Sequence, residues 1–89
     1  MPRDMDDIAY VSDQAARARR LFSAVVMAAL DDAIKDEEKH GTGITGIASW
    51  ARSRHGRTIL SNAGIDPDER TVALMIDYVT RGARGEKAA

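Results

Sequence analysis

Apolar residues recur at intervals of three and four along most of this chain, which is the spacing of one face of an α-helix. The longest such stretch covers residues 14–39, which contain neither glycine nor proline. Its apolar face consists of Phe22, Val25, Val26, Ala29, Leu30, Ala33 and Ile34. A helix of this length spans about 39 Å, so it is predicted to be the longest element. Ser12 or Asp13 is predicted to cap its start.

Glycine and hydroxyl residues divide the middle of the chain into two short predicted helices. The second helix is expected over residues 44–54, with Thr42 or Thr45 as its cap. Gly56 is expected to end this helix in a left-handed conformation, as glycine often does. The third helix is expected over residues 57–63. Two short helices that meet at a glycine have the outline of a helix-turn-helix.

The sequence Asp66-Pro67-Asp68-Glu69 predicts the start of a fourth helix. It combines a capping aspartate, a proline at the first helical position and a glutamate three residues after the cap. This helix is expected to reach Arg81, with Gly82 after it. No stretch alternates with the period of two that marks a strand. The predicted fold class is therefore all-α: one small four-helix domain, with a long first helix, three shorter helices and a helix-turn-helix-like middle.

A chain of 89 residues provides at most one small domain. Residues 1–11 are expected to form a flexible acidic arm, residues 12–82 the helical domain and residues 83–89 a flexible tail. Trp50 is the only tryptophan, and we expect it in the core. So small a domain buries only about 60–65% of the surface that its unfolded chain exposes. A homo-oligomer, in the simplest case a dimer, is therefore expected.

The composition argues against several classes of site. Cysteine is absent, which excludes disulfides and thiol chemistry. His40 follows Asp36 by one helical turn, but a metal site needs three or four ligands and no further histidine lies nearby in the sequence, so no metal and no cofactor are expected. No catalytic constellation is visible, so we do not expect an enzyme. No apolar run approaches the roughly 18 residues of a membrane span, and the start lacks the apolar core of a signal peptide. A cytoplasmic protein without membrane contact is expected.

Arginines gather around the junction between the second and third predicted helices. The formal net charge is only −1, but Arg52, Arg54 and Arg57 lie close together in the sequence, and Arg70 follows. Arginine neutralises phosphates and forms paired hydrogen bonds with guanine edges. The first hypothesis is therefore that these four residues bind nucleic acid, with DNA as the partner.

A protein-interaction module is the alternative hypothesis. Asp36, Glu37 and Glu38 form an acidic run near the end of the first helix, while Leu74 and Tyr78 lie off the core face of the fourth. These five residues are the candidate contacts with a host protein, a phage protein or a second copy of the chain. An antiparallel second copy would bring the arginines of its first helix against these acids.

Three segments, taken in order, resemble a family of small uncharacterised proteins. They are the aliphatic residues 21–33, the segment Ile47-Ala-Ser-Trp50-Ala-Arg-Ser53, and Ala63-Gly64-Ile65-Asp66-Pro67. The family occurs in Rhodobacter-type alphaproteobacteria and in phages and prophages. The resemblance implies a connection with phages or mobile elements, without an established activity or functional residues. Together with the arginines, it suggests a non-enzymatic, nucleic-acid-associated regulator or packaging accessory.

Overall fold

Four α-helices make up the structure, a computed structural model that describes residues 5–85 and their side chains from Ile8 onward. The helices are α1 (Met5–His40), α2 (Gly43–Arg52), α3 (Arg54–Asn62) and α4 (Glu69–Ala83). No strand occurs in this range. The predicted all-α fold with a long first helix is therefore confirmed.

The first helix begins earlier than predicted. Residues 5–11, which were assigned to an arm, are helical and continuous with the rest of α1, so the predicted cap at Ser12 or Asp13 is wrong. Asp13 instead pairs with Arg17 one turn later, at 3.2 Å, a spacing that supports a continuous helix. The remainder of the predicted arm, residues 1–4, lies outside the described residues, as do residues 86–89 of the predicted tail.

The start of α2 is held by a side chain of α1. Thr42 occupies the capping position but makes no capping hydrogen bond, so the prediction of a threonine cap is wrong. The backbone N–H of Ile44 instead donates to Oε1 of Glu37 at 2.9 Å. Gly43 is buried against α1, where a Cβ atom would collide with the carbonyl oxygen of Ala33. The two helices therefore meet with their backbones in close contact.

Ser53 alone connects α2 to α3. Its hydroxyl donates to the carbonyl of Trp50 at 2.6 Å and accepts from the N–H of Gly56 at 3.0 Å. Gly56 was predicted to end α2, but it is buried inside α3 with an ordinary backbone conformation. A Cβ atom there would collide with the carbonyl of Trp50. A one-residue connection is shorter than the turn of three or four residues in a helix-turn-helix, so only the outline of that motif is present.

The link from α3 to α4 is partly as predicted. Gly64 has φ +82° and follows the end of α3, in the predicted place. The capping residue of α4 is Asp68, whose Oδ1 accepts from the N–H of Thr71 at 2.9 Å. The prediction of Asp66 as the cap is therefore wrong. The backbone carbonyl of Asp66 accepts a hydrogen bond from the Thr71 hydroxyl instead. At the other end, α4 continues through Gly82 to Ala83.

The core lies between α1 and the three shorter helices. Leu60 of α3 and Val79 of α4 are fully buried, and burying a side chain of this size contributes about 1.5–3 kcal/mol. Trp50, which was expected in the core, is half-buried and packs against its edge. Val25 was also expected on the core face but is 39% exposed. Aliphatic residues, rather than the indole, therefore form the centre of the domain.

Gly56→Ala is expected to lower the free energy of unfolding by about 1–3 kcal/mol, the usual cost of overpacking. The added methyl group would collide with backbone rather than with a flexible side chain. Gly46→Ala is the matched control, since a Cβ there meets nothing within 4 Å and alanine favours a helix interior by about 0.5–1 kcal/mol. Urea unfolding of both variants tests this. Equal effects would contradict the close contact between Gly56 and Trp50.

Candidate nucleic-acid interface

A shallow groove lies on the outer side of α3 and has a volume of about 510 Å³. It is lined by Arg52, Arg54, Arg57, Thr58, Ser61, Asn62 and Pro67. Three of the four arginines predicted to bind nucleic acid are therefore brought together. The fourth, Arg70, is exposed on α4 but does not line the groove.

The groove is polar because α3 has two opposite faces. Gly56, Ile59 and Leu60 are buried. Arg54, Arg57, Thr58 and Ser61 follow the same three- and four-residue spacing along the exposed face. A helix places residues at this spacing on one side, so a nine-residue helix can present an aligned polar row while packing against the core.

Acidic residues are absent from α2 and α3, which carry all three arginines of the groove. The nearest acid in contact is Glu69, at the start of α4. Nη2 of Arg52 donates to Oε1 of Glu69 at 2.7 Å, and its Nε donates to Oε2 at 3.1 Å. These hydrogen bonds hold the pKa of Glu69 below its ordinary value and raise the pKa of Arg52. The pair largely neutralises Arg52.

Arg54 and Arg57 carry the positive charge that is left in the groove. Within residues 5–85 the arginines in salt bridges are Arg17, Arg52 and Arg81. Both groove arginines are exposed. The hydroxyl of Thr58 donates to the carbonyl of Arg54 at 2.9 Å, so this hydroxyl can only accept a further hydrogen bond. Two guanidinium groups therefore provide most of the donors available to an anion.

The three acids predicted to bind a partner do not form one surface. Glu37 is half-buried and caps α2, whereas Glu38 is exposed to solvent. Asp36 lines a second groove, of about 230 Å³, between α1 and α2. Consecutive residues on a helix lie about 100° apart, so an acidic run cannot face in a single direction. The three side chains therefore point in different directions, and their role in binding a partner stays a prediction.

Leu74 and Tyr78 lie on the solvent side of α4, one turn apart. They are 62% and 42% exposed, respectively. Both side chains thus lie outside the domain core, as their position off the core face of α4 predicted.

Several groove residues, and the carboxylate that pairs with Arg52, were not predicted from the sequence. Ser61 could have been found by continuing the helical spacing from Arg54 through Arg57. Glu69 could not, because its contact with Arg52 depends on how α4 packs beside α2. Asn62 and Pro67 likewise reach the groove only through the turn that follows α3.

Residues 5–85 lack the features of two other classes of site. In the described part of the chain, no helix combines the length and the apolar character needed to cross a bilayer. No group of three or more histidine, aspartate or glutamate side chains in that part is placed to hold a metal ion.

Glu69→Gln is expected to lower the urea midpoint at about pH 7 more than at about pH 3. The pKa of Glu69 is depressed in the folded state, so its contribution is present above its unfolded pKa and is lost as the pH falls through its folded pKa. Arg52→Gln removes the same pair without removing a carboxylate, and should lose the same pH-dependent contribution. An equal loss at both pH values would contradict this assignment.

The comparisons with known proteins identify a family. The model of a family described as "Family of unknown function (DUF6280)" matches residues 14–89. No curated protein and no solved structure matches the chain. The match includes most of α1, all of α2, α3 and α4, and every residue of the arginine groove. The chain therefore belongs to this family of unknown function.

Proposed function

We propose that this protein binds the phosphate backbone of nucleic acid, with DNA as the first candidate, through the groove on α3. The observation that carries the proposal is the placement of Arg54 and Arg57 beside Ser61 and Asn62, on helices that lack acidic residues. Arginine, hydroxyl and amide groups are the usual donors to phosphate oxygens. The protein acts here as a non-enzymatic regulator or packaging accessory, and its phage connection rests on the sequence resemblance.

The shape of the groove suits contact with the phosphate backbone of nucleic acid better than recognition of bases. The groove is shallow, and Ile59 and Leu60 hold the inner face of α3 against the core. Two or three arginines neutralise only a few phosphates, and the whole chain has a formal net charge of −1. Binding is therefore local, weak and insensitive to sequence, because phosphate contacts position a protein without reading bases.

Glu69 controls how much of this charge a phosphate can use. Arg52 is oriented towards the groove by Glu69, and both side chains are more than half exposed. A phosphate approaching Arg54 and Arg57 would compete with this carboxylate for the Arg52 guanidinium. Glu69 thus lowers affinity for a polyanion while it holds Arg52 in position.

The test measures fluorescence anisotropy of a labelled duplex between about 25 and 200 mM salt. Arg57→Gln should weaken binding several-fold and reduce the slope of log K against log salt by about 0.9, the value for one lost phosphate contact. Arg81→Gln is the matched control, because it removes the same charge about 18 Å further along α4 than Glu69. Glu69→Gln should strengthen binding, since it releases Arg52.

Two results would overturn the proposal. One is the absence of measurable binding at about 50 mM salt, where even a few phosphate contacts should be detectable. The other is an equal loss from Arg57→Gln and Arg81→Gln, which would indicate a response to total charge rather than to the groove.

A second candidate function is binding of a partner protein through α4. It is favoured by Leu74 and Tyr78, which are exposed one turn apart, and tyrosine is enriched at protein interfaces. Asp36 and Glu38 stay in this hypothesis as acids available to a partner, whereas Glu37 is engaged in capping α2.

Leu74→Glu is expected to abolish capture of such a partner from a nuclease-treated lysate of the native host. Stability and duplex binding should stay unchanged, because Leu74 is 62% exposed and outside the groove. Ala73→Glu, at the neighbouring exposed position of α4, is the matched control. If both variants retain every captured protein, this candidate fails.

A further inference from the structure

The first part of α1 extends beyond the other three helices. α1 has 36 residues and is about 54 Å long, which accounts for nearly all of the 56 Å length of the molecule. Between Ile8 and Leu21, every side chain except Ala16 is exposed. The residues of α1 that belong to the core or pack against it begin at Phe22. This projecting part of α1, residues 8–21, is called the arm below; it differs from the flexible arm that was predicted for residues 1–11.

The arm carries an apolar seam of the kind found in coiled coils. Its members within the arm alternate at spacings of three and four: Ile8, Val11, Ala15 and Ala18. The same spacing continues beyond the arm through Phe22, Val25 and Ala29, of which Phe22 and Ala29 pack against the core. Ile8 and Val11 are 53% and 50% exposed, and Val25 is 39% exposed. A heptad pattern buries its seam against another helix, and most helical stability comes from such packing. The arm therefore presents a helix-binding face that its own domain leaves open.

The seam leads into the second groove, the one between α1 and α2. The α1 wall of this groove consists of Ala29, Asp32, Ala33 and Asp36, and the α2 wall of Gly43, Gly46, Ile47 and Trp50. The residues of each wall follow helical spacing, so the groove runs along both helices. A Cβ atom at Gly46 would meet nothing within 4 Å, which shows how open the α2 wall is.

The charges along α1 favour one orientation of a partner helix. Asp32 and Asp36 lie on the seam face and border the groove, and Arg19 flanks that face in the arm. A second α1 running antiparallel brings Arg19 of one copy near Asp36 of the other, twice. A parallel partner would instead place like charges opposite each other, which is unfavourable.

We propose that a second copy of this chain occupies this surface. The arm of each copy lies antiparallel in the groove between α1 and α2 of its partner, with Ala18 of one copy beside Asp36 of the other. The contact is related by a two-fold axis that passes between the two α1 helices at the level of Met27, so each copy provides one arm and one groove. The arginine groove on α3 consists of other residues and remains available.

Sedimentation equilibrium of the full chain from about 1 to 100 µM tests the proposal. Ala18→Glu, in the seam, and Gly46→Leu, in the groove, should each weaken dimerisation tenfold or more. Met27→Glu is the matched control, because it adds the same charge as Ala18→Glu on the opposite face of α1, where Met27 is exposed. Circular dichroism should show unchanged helix content, since none of these three side chains is in the core.

The relative orientation of the two copies can be measured separately. Because the chain has no cysteine, one introduced cysteine can carry a spin label at a single known position. A spin label on Tyr10→Cys, exposed and off the seam, should give a separation of about 50 Å between copies in the antiparallel arrangement. A parallel pair would give less than about 20 Å.

Three results would overturn the proposal. They are a monomer at every concentration, a dimer that tolerates both Ala18→Glu and Gly46→Leu, and the short label separation. The second of these would move the dimer contact to another face, such as the one around Leu74 and Tyr78.

Discussion

Close backbone contact between helices is the constraint on which this domain depends. The core has few large side chains, and much of it is alanine, valine and isoleucine. Gly43 lies against the backbone of α1, and Gly56 lies against the carbonyl of Trp50. At Gly82 the neighbour is the side chain of Ile34. At Gly43 and Gly56 a hydrogen atom is all that fits, whereas a Cβ atom at Gly82 would displace the flexible side chain of Ile34. The helices therefore approach closely enough for small side chains to fill the space between them.

The number and type of helices could be predicted from the sequence, because helical spacing and breaking residues are local features. The joints between helices could not. Gly56 is a good candidate for a left-handed helix end, but tertiary packing uses it inside α3 instead. Glu37 replaces a threonine cap only because α2 folds back onto α1. Asp68 competes with Asp66 as the cap of α4, and the hydrogen bond of Thr71 decides between them.

In the candidate site, too, local features could be predicted from the sequence, whereas contacts between helices could not. The clustering of Arg54 and Arg57 was predicted from their closeness in sequence at the junction of two predicted helices. Their alignment on one helix was not predicted, because α3 begins at Arg54 rather than at Arg57. The neutralisation of Arg52 by Glu69 depends on two helices that are distant in sequence, and no local pattern indicates it. Arg70 was grouped with the other arginines by residue type alone. Its position one residue after Glu69 turns it about 100° away from that side chain, and it does not line the groove.

The single-residue joint at Ser53 has a consequence for how α3 would meet a ligand. Its hydroxyl holds the last turn of α2 and the first turn of α3 at once, while Gly56 fits against Trp50. The connection between α2 and α3 is therefore preorganised, so binding of a ligand would not have to order the backbone of the groove. The conformational entropy that the arginine groove loses on binding is then mainly that of its side-chain rotamers, and one of these side chains, Arg52, is already restrained by Glu69.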